Sequence, residues 1–88
     1  PLSVIVTDVD GTITYVNKKF SEVSGFSRQE VIGQNPRILK SGQMADDLYK
    51  DLWDTISKGM EWQGEMVNKK KNGNLFWELV SISPVLND

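Results

Sequence analysis

The chain of 88 residues carries ten basic and twelve acidic side chains, for a net charge of −2, and it contains neither cysteine nor histidine. A hydrophobic fraction of 39% and a charged fraction of 25% are typical of one small globular domain. The composition excludes disulfides, thiolate or imidazole metal ligands, His-ligated haem and histidine-based catalytic triads. The near-neutral charge argues against nucleic-acid binding. No apolar run reaches the roughly 20 residues that span a bilayer, so we expect a cytoplasmic domain without membrane contact.

The chain opens with a predicted β-hairpin. Residues 3–7 and 12–16 are rich in β-branched side chains, which favour strands. Asp10 and Gly11 stand between them, and this dipeptide is a strong signal for a tight turn because both residues tolerate positive φ. The first two strands are therefore expected to be antiparallel neighbours.

Two short helices and an irregular stretch follow the hairpin. Asn17 predicts the N-cap of a short helix that stops at Gly25, and Ser27 with Glu30 forms a capping box that starts the next one. Residues 34–42 contain a proline and a glycine and predict an irregular connection.

The longest helix is predicted over residues 44–57. Its apolar residues recur at helical spacing, and two aspartates stand in its first turn, where carboxylates complement the helix dipole. Gly59 is the predicted stop. The apolar positions are Met44, Leu48, Tyr49, Leu52, Trp53 and Ile56.

A second hairpin is predicted at the end of the chain. Residues 62–70 and 75–85 have strand character, and the Asn72-Gly73 dipeptide between them is a hairpin turn. The element order β-β-α-α-α-β-β predicts an α+β fold, with an antiparallel sheet and the helices packed on one of its faces.

One motif suggests an enzyme. The run Asp8-Val9-Asp10-Gly11-Thr12 after an apolar strand is similar to the first motif of haloacid-dehalogenase phosphatases, in which two aspartates serve phosphoryl transfer with Mg²⁺. Those enzymes need a parallel sheet with long crossovers, whereas here the next strand follows one tight turn. We therefore expect no enzymatic activity, no catalytic residue and no metal site, and keep the phosphatase as a remote alternative.

Read as a whole, the chain resembles a PAS domain, and the resemblance covers nearly all of it. The similarity is closest to the flavin-binding redox sensors of the nitrogen-fixation regulators and to the light-oxygen-voltage (LOV) branch. The residues that carry it stand in the family's order and spacing: 10–17, Phe20, 24–27, 30–33, 62–65, 68–73, 76–77 and 82–85.

The resemblance implies a single sensory domain over residues 1–88, in which a five-stranded antiparallel sheet and its helices enclose a pocket. The family's fifth strand is central in the sheet, and the chain stops where a turn at Asn87-Asp88 would lead into it. Either the first and fourth strands pair directly, or another chain supplies a strand, or part of the fold is missing. We expect a module of a longer protein, truncated before that strand.

The resemblance also narrows the choice of bound cofactor. Residues 33–40 look like the LOV signature, in which a cysteine after the asparagine forms the flavin photoadduct; here Pro36 holds that position, so no adduct can form. Cysteine-tethered chromophores and His-ligated haem are excluded as well. Non-covalent flavin is the expected cofactor, FAD before FMN; another small molecule and an empty core are the alternatives.

The residues expected to contact this cofactor lie on the sheet, the long helix and the irregular stretch. In flavin-binding relatives the residue matching Asn68 hydrogen-bonds the pyrimidine edge of the ring, and the position matching Glu78 often holds a second amide. Arg37 matches an arginine that contacts the flavin phosphate. Strand alternation places Met66 and Trp62 on the face of Asn68. The full expected set is Asn35, Arg37, Trp53, Trp62, Met66, Asn68, Glu78 and Ile82.

The residue pattern on the opposite face of the sheet predicts a protein partner. Val67, Trp77 and Leu79 alternate with the inward residues and form an apolar outer patch, which is unusual for a monomer. In PAS proteins an N-terminal helix or a second copy of the domain commonly covers this face. We expect a homodimer that relays the ligand's state to an output domain such as a histidine kinase or a diguanylate cyclase. The alternative function is a ligand-free PAS dimerisation module.

Overall fold

An antiparallel hairpin opens the chain, as predicted. The computed structural model describes residues 2–85, in which strand β1 (Ser3–Thr7) pairs with β2 (Ile13–Val16) and a register shift lies between Val6 and Thr7. Asp8 closes the turn, because its Oδ1 accepts the backbone N–H groups of Asp10 and Thr12, both at 2.9 Å. The first aspartate of the phosphatase-like motif is thereby part of a turn.

Three α-helices and a 3₁₀ helix follow, each near its predicted place. Helix α1 spans Lys18–Ser24, α2 spans Arg28–Val31, and a 3₁₀ helix spans Pro36–Leu39 in the stretch predicted to be irregular. Helix α3 spans Asp46–Ser57, two residues shorter at its start than predicted, and its N-cap Ala45 gives no side-chain hydrogen bond. Across residues 2–85, no helix has the length and apolar character needed to cross a membrane.

The side-chain caps of the first two helices confirm the sequence signals. Asn17 Oδ1 accepts the N–H of Phe20 at 3.0 Å at the start of α1. At α2, Ser27 Oγ accepts from the N–H of Glu30 at 3.2 Å while Glu30 Oε1 accepts from the N–H of Ser27 at 2.9 Å. This capping box holds a helix of only four residues, which could not persist on its own.

The second hairpin joins β3 (Trp62–Lys69) to β4 (Leu75–Pro84). Its register sets Val67 opposite Trp77 and Asn68 opposite Phe76. Because successive side chains alternate between the faces of a strand, Asn68 faces the helices and Trp77 faces away from them. Asn68 is 2% exposed and Trp77 is 72% exposed, as the predicted alternation requires.

The sheet has the order β2-β1-β4-β3, and its two central strands run parallel. The α+β class with helices on one face is confirmed, but the expectation of a wholly antiparallel sheet is wrong at this one junction. Parallel neighbours need a long connection, and the 67 residues between β1 and β4, helices included, provide it. In residues 2–85 the first and fourth strands pair directly. The turn predicted at Asn87-Asp88 lies outside the described residues.

The core lies between the helices and the inner sheet face. Its twelve members come from every strand and from all the helices, which makes one continuous apolar layer. The buried residues are Ile5, Ile13, Val16, Phe20, Val31, Leu39, Leu52, Ile56, Trp62, Met66, Val80 and Ile82.

Connecting segments form hydrogen bonds with part of each edge of the sheet. At the β3 edge, Ser41 Oγ donates to the carbonyl of Val67 at 2.6 Å, and the N–H of Val67 donates to Met44 Sδ at 3.4 Å. At the β2 edge, Ile13 exchanges backbone hydrogen bonds of 2.8 and 2.9 Å with residues 33–34. These contacts occupy backbone groups that an open edge strand would expose.

An ion pair fastens α2 to the tip of the second hairpin. Lys71 Nζ contacts Glu30 Oε2, and the backbone N–H of Lys71 donates to the carbonyl of Ser24 at 3.0 Å. The hydrogen bond from Lys71, together with those from Ser27 in the capping box, lowers the pKa of Glu30 from 4.5 to about 2. The folded state therefore binds this proton less tightly than the unfolded chain does.

This pair predicts a pH-dependent part of the stability. A lowered carboxyl pKa stabilises the fold fully above pH 4.5, and the contribution is lost as the pH falls from there towards 2. Lys71→Met should flatten this acid limb in urea unfolding curves followed by circular dichroism at pH 5, 3.5 and 2. Lys69→Met, which removes an exposed lysine of the same hairpin, is the control. Identical pH dependence in both variants would contradict the assignment.

Candidate functional site

A cavity of about 450 Å³ lies between α3, the 3₁₀ helix and the inner face of the sheet. Its size is within the range of small-molecule sites, and its walls are mostly aliphatic or aromatic. The apolar lining residues are Ile5, Pro36, Leu39, Leu52, Trp53, Met66, Val80 and Ile82. Such walls suit a flat, apolar ligand body.

Charged side chains stand at the mouth of the cavity. Arg37 lies in the 3₁₀ helix, Lys40 follows it directly, and Asp10 comes from the first hairpin turn; all three are exposed. The Lys40 ammonium lies 4.6 Å from the centre of the Tyr49 ring, a cation–π contact. Burial, with a smaller effect of the Asp46 carboxylate, raises the pKa of the Tyr49 phenol, so the phenol stays neutral beneath the lysine. The mouth has two cations and one anion.

A polar pair interrupts the apolar inner wall. Asn68 on β3 lines the cavity, and its Nδ2 donates to Glu78 Oε2 at 3.0 Å. Glu78 is 8% exposed, and its second oxygen, Oε1, is buried and meets no hydrogen-bond partner among residues 2–85. Burial raises the pKa of Glu78, and the hydrogen bond from Asn68 opposes that rise only in part. An incompletely satisfied polar pair in a core lowers the stability of the fold.

The first hairpin turn, the 3₁₀ helix and α3 meet at one corner of the cavity. Asn35 Oδ1 accepts the N–H of Arg37 at 2.9 Å, and Asn35 Nδ2 donates to the carbonyl of Gly11 at 3.3 Å. Gly11 has a φ of 85°, and a Cβ there would lie 3.0 Å from the ring of Trp53. The glycine allows both the turn and the close approach of the indole.

Six of the eight residues expected to contact a cofactor line the cavity. They are Asn35, Arg37, Trp53, Met66, Asn68 and Ile82. The other two lie elsewhere: Glu78 is behind Asn68, and Trp62 is in the core, where its Nε1 donates to Asp51 Oδ2 at 3.0 Å. The Trp62 ring also lies against Gly64, where an added Cβ would be 2.8 Å from it. Sharing a strand face with Asn68 is therefore insufficient for cavity contact.

Sequence reasoning missed several lining residues. Tyr49 and Leu52 on the apolar face of α3, and Lys40 after the 3₁₀ helix, line the cavity but are absent from the expected set. Helical spacing could have grouped Tyr49 and Leu52 with Trp53, since residues three and four apart share a face. No signal in the sequence separates a core position from a cavity wall, because both require apolar side chains.

Comparison with known proteins identifies the family. A family model for the PAS domain matches residues 1–88. The chain belongs to the PAS domain family. It is 34% identical over 86 residues to a nitrogen fixation regulatory protein of Klebsiella pneumoniae, covering 98% of this chain and 17% of that protein. It is 33% identical over 82 residues to an aerotaxis receptor of Escherichia coli (strain K12), covering 93% and 16%.

A solved structure shares the fold. The LOV domain from the Erythrobacter litoralis EL346 blue-light activated histidine kinase superposes with a TM-score of 0.69 at 28% identity, covering 77% of this chain and 62% of that one. This PAS domain spans about a sixth of the length of the two curated relatives. It is a sensory domain similar to domains of larger signalling proteins.

The corner at Gly11 gives a prediction for this PAS domain. Gly11→Ala adds a Cβ at positive φ and also crowds Trp53, whereas Gly73→Ala adds one at a φ of 89° with no atom within 4 Å. The control should lose about 1–2 kcal/mol of unfolding free energy, and Gly11→Ala about 1–3 kcal/mol more from overpacking. Urea unfolding measures both, and tryptophan fluorescence should shift only in Gly11→Ala. Equal losses would contradict the crowding.

Proposed function

We propose that this PAS domain binds a flavin non-covalently in the cavity and reports its state to an output domain through a dimer interface. FAD is the first candidate and FMN the second. The observation that carries the proposal is the form of the cavity, apolar along its walls, polar at Asn68 and cationic at its mouth. A flavin has the same sequence of parts, with an apolar tricyclic body between a hydrogen-bonding pyrimidine edge and a phosphorylated chain.

The residues present suit each part of such a ligand. Asn68 would meet the pyrimidine edge, since it is the polar side chain of the inner wall. Trp53 and the aliphatic walls would enclose the ring system. Arg37 and Lys40 would hold phosphate at the mouth, where guanidinium and ammonium groups remain solvated and charged. The LOV-like pattern of residues 33–40 supports this orientation.

The mode of sensing would be redox state or occupancy. Because the chain contains no cysteine, a thiol adduct with the ring cannot form. The bound flavin would supply the electron acceptance and release. The protein's own part would be to exclude water with the apolar walls and to hold the pyrimidine edge at Asn68.

The relay would use the two faces of β4. Val80 faces the cavity, while Trp77 and Leu79 on the same strand face outwards, 72% and 47% exposed. A displacement of β4 by the ligand would therefore move the outer patch directly. We propose that this patch, with Val67, forms a homodimer and that the attached output is a histidine kinase or a diguanylate cyclase. A ligand shifts such an equilibrium only by binding its two states unequally.

Spectroscopy tests the flavin. The purified domain should show flavin absorbance or gain it on adding FAD, and chromatography of the released cofactor distinguishes FAD from FMN. Asn68→Leu should weaken FAD binding by about tenfold or more, the equivalent of one lost hydrogen bond. Gln63→Leu, on the outer face of the same strand, should leave it unchanged. A colourless protein that binds neither flavin would remove flavin from the proposal.

The dimer is tested separately. Trp77→Lys places a charge in the outer patch and should convert a dimer to a monomer in light scattering after size-exclusion chromatography. Met60→Lys changes a residue that is 59% exposed in the loop before β3 and should leave the dimer intact. A dimer that survives Trp77→Lys would show that copies associate through another surface. A dimer with no bound ligand would favour the dimerisation module.

A further inference from the structure

The hydrogen bond between Asn68 and Glu78 has a direction that matters for the ligand. An ionised carboxylate can only accept, so the amide must present its NH₂ group to Glu78, as the 3.0 Å contact from Nδ2 to Oε2 does. The amide group is planar, with its carbonyl oxygen on the other side. Among residues 2–85, the contact to Glu78 is the hydrogen bond that the Asn68 side chain makes. Asn68 lines the cavity, which leaves this carbonyl as the polar atom of the inner wall.

We propose that Glu78 is a positioning residue, which orients the Asn68 carbonyl into the cavity and so makes the site select ligands with an N–H donor in that place. The chemical class is a heteroaromatic ring with an imide or lactam N–H edge. This inference rests on the proposed function, since the flavin imide is one member of that class. A ring whose N–H is blocked would set a methyl group against the carbonyl and leave Oδ1 unsatisfied.

Glu78 acts through Asn68, because it does not itself line the cavity. Glu78 belongs to the set of residues that the sequence predicts to contact the ligand. In the structure the amide stands between the carboxylate and the ligand. The negative charge therefore holds Asn68 Nδ2 against Glu78 and leaves Oδ1 for the ligand. A neutral partner, which can both donate and accept, would not fix the amide in this orientation.

Protonation of Glu78 should relax the selection. A protonated carboxyl can donate its own proton to Oδ1, and the amide can then turn its NH₂ group to the cavity. Burial raises the pKa of Glu78, so the change takes place above pH 4.5. Preference for an N–H ligand should therefore be greatest at high pH and fall on acidification.

Other charged groups do not compete for this role. Strand β1, which packs beside β4, has no ionisable side chain. The backbone of Lys40 forms an isolated β-bridge with Asn68, but the Lys40 ammonium contacts the Tyr49 ring. The ionisable side chains on the remaining neighbours of Glu78 are all at least partly exposed: Lys18, Lys19 and Glu22 on α1, Asp46, Asp47, Lys50, Asp51 and Asp54 on α3, and Glu65 and Lys69 on β3.

Binding of a matched pair of flavins tests the proposal on the full chain. Lumiflavin keeps the imide N–H and 3-methyllumiflavin lacks it, so fluorescence titrations from pH 5 to 8 measure the selection directly. The parent should prefer lumiflavin by about tenfold at the highest pH and by less as the pH falls. Glu78→Gln should reduce the preference and make it independent of pH, because a glutamine amide can bond either end of Asn68. Glu65→Gln, which removes an exposed carboxylate from the outer face, should behave as the parent.

A second readout needs no ligand. The side-chain ¹⁵N signal of Asn68 should titrate in the free protein with the pKa of Glu78, and this titration should vanish in Glu78→Gln but persist in Glu65→Gln. An Asn68 amide that does not respond to pH would overturn the proposal, as would equal selectivity in parent and Glu78→Gln. Titration of Asn68 in a protein that binds neither flavin would support the Glu78 role and remove flavin as the ligand.

Discussion

The parallel pairing of β1 with β4 is the contact on which the rest of the structure depends. Each hairpin is local and would be marginal alone, since two strands have no second layer to bury an apolar face. Pairing Ser3–Thr7 with residues 80–84 makes one four-stranded surface from the two ends of the chain. The helices between the hairpins can then cover only the inner face. The cavity follows from that cover, because four short helical segments do not fill the concave side completely.

The polar residues in the inner wall of the cavity reduce the stability of a protein this small. A chain of this length has a limited apolar core, and every buried polar group lowers its stability. Even so, Asn68 and Glu78 are both buried, and one carboxylate oxygen has no partner in the described part of the chain. Filling these two positions with apolar residues would suit folding better. The proposed role in recognition would account for these two polar residues, and the raised pKa of Glu78 reflects the same cost of burial.

Much of the fold could be predicted from the sequence, because its signals are local. The turn dipeptides, the Asn17 cap and the Ser27–Glu30 capping box each specify a few residues of backbone, and all were found in place. Strand alternation correctly separated Asn68 from Trp77. The direction of β4 beside β1 could not be predicted, since it depends on residues more than 70 apart and on which strand is central. The site was predicted less completely: alternation placed Trp62 on the correct face, but the indole bonds Asp51 and lies in the core.

The partly covered edges of the sheet restrict how copies of this domain can associate. An open edge strand invites another strand to continue the ladder, which leads to fibres without a defined end. Here the connections at residues 33–34 and 41–44 take the backbone hydrogen-bonding groups of Ile13 and Val67, one residue on each edge strand, which such growth would use. The same contacts hinder the addition of a further strand at either edge of the sheet, and with it the strand-to-strand growth that leads to fibres.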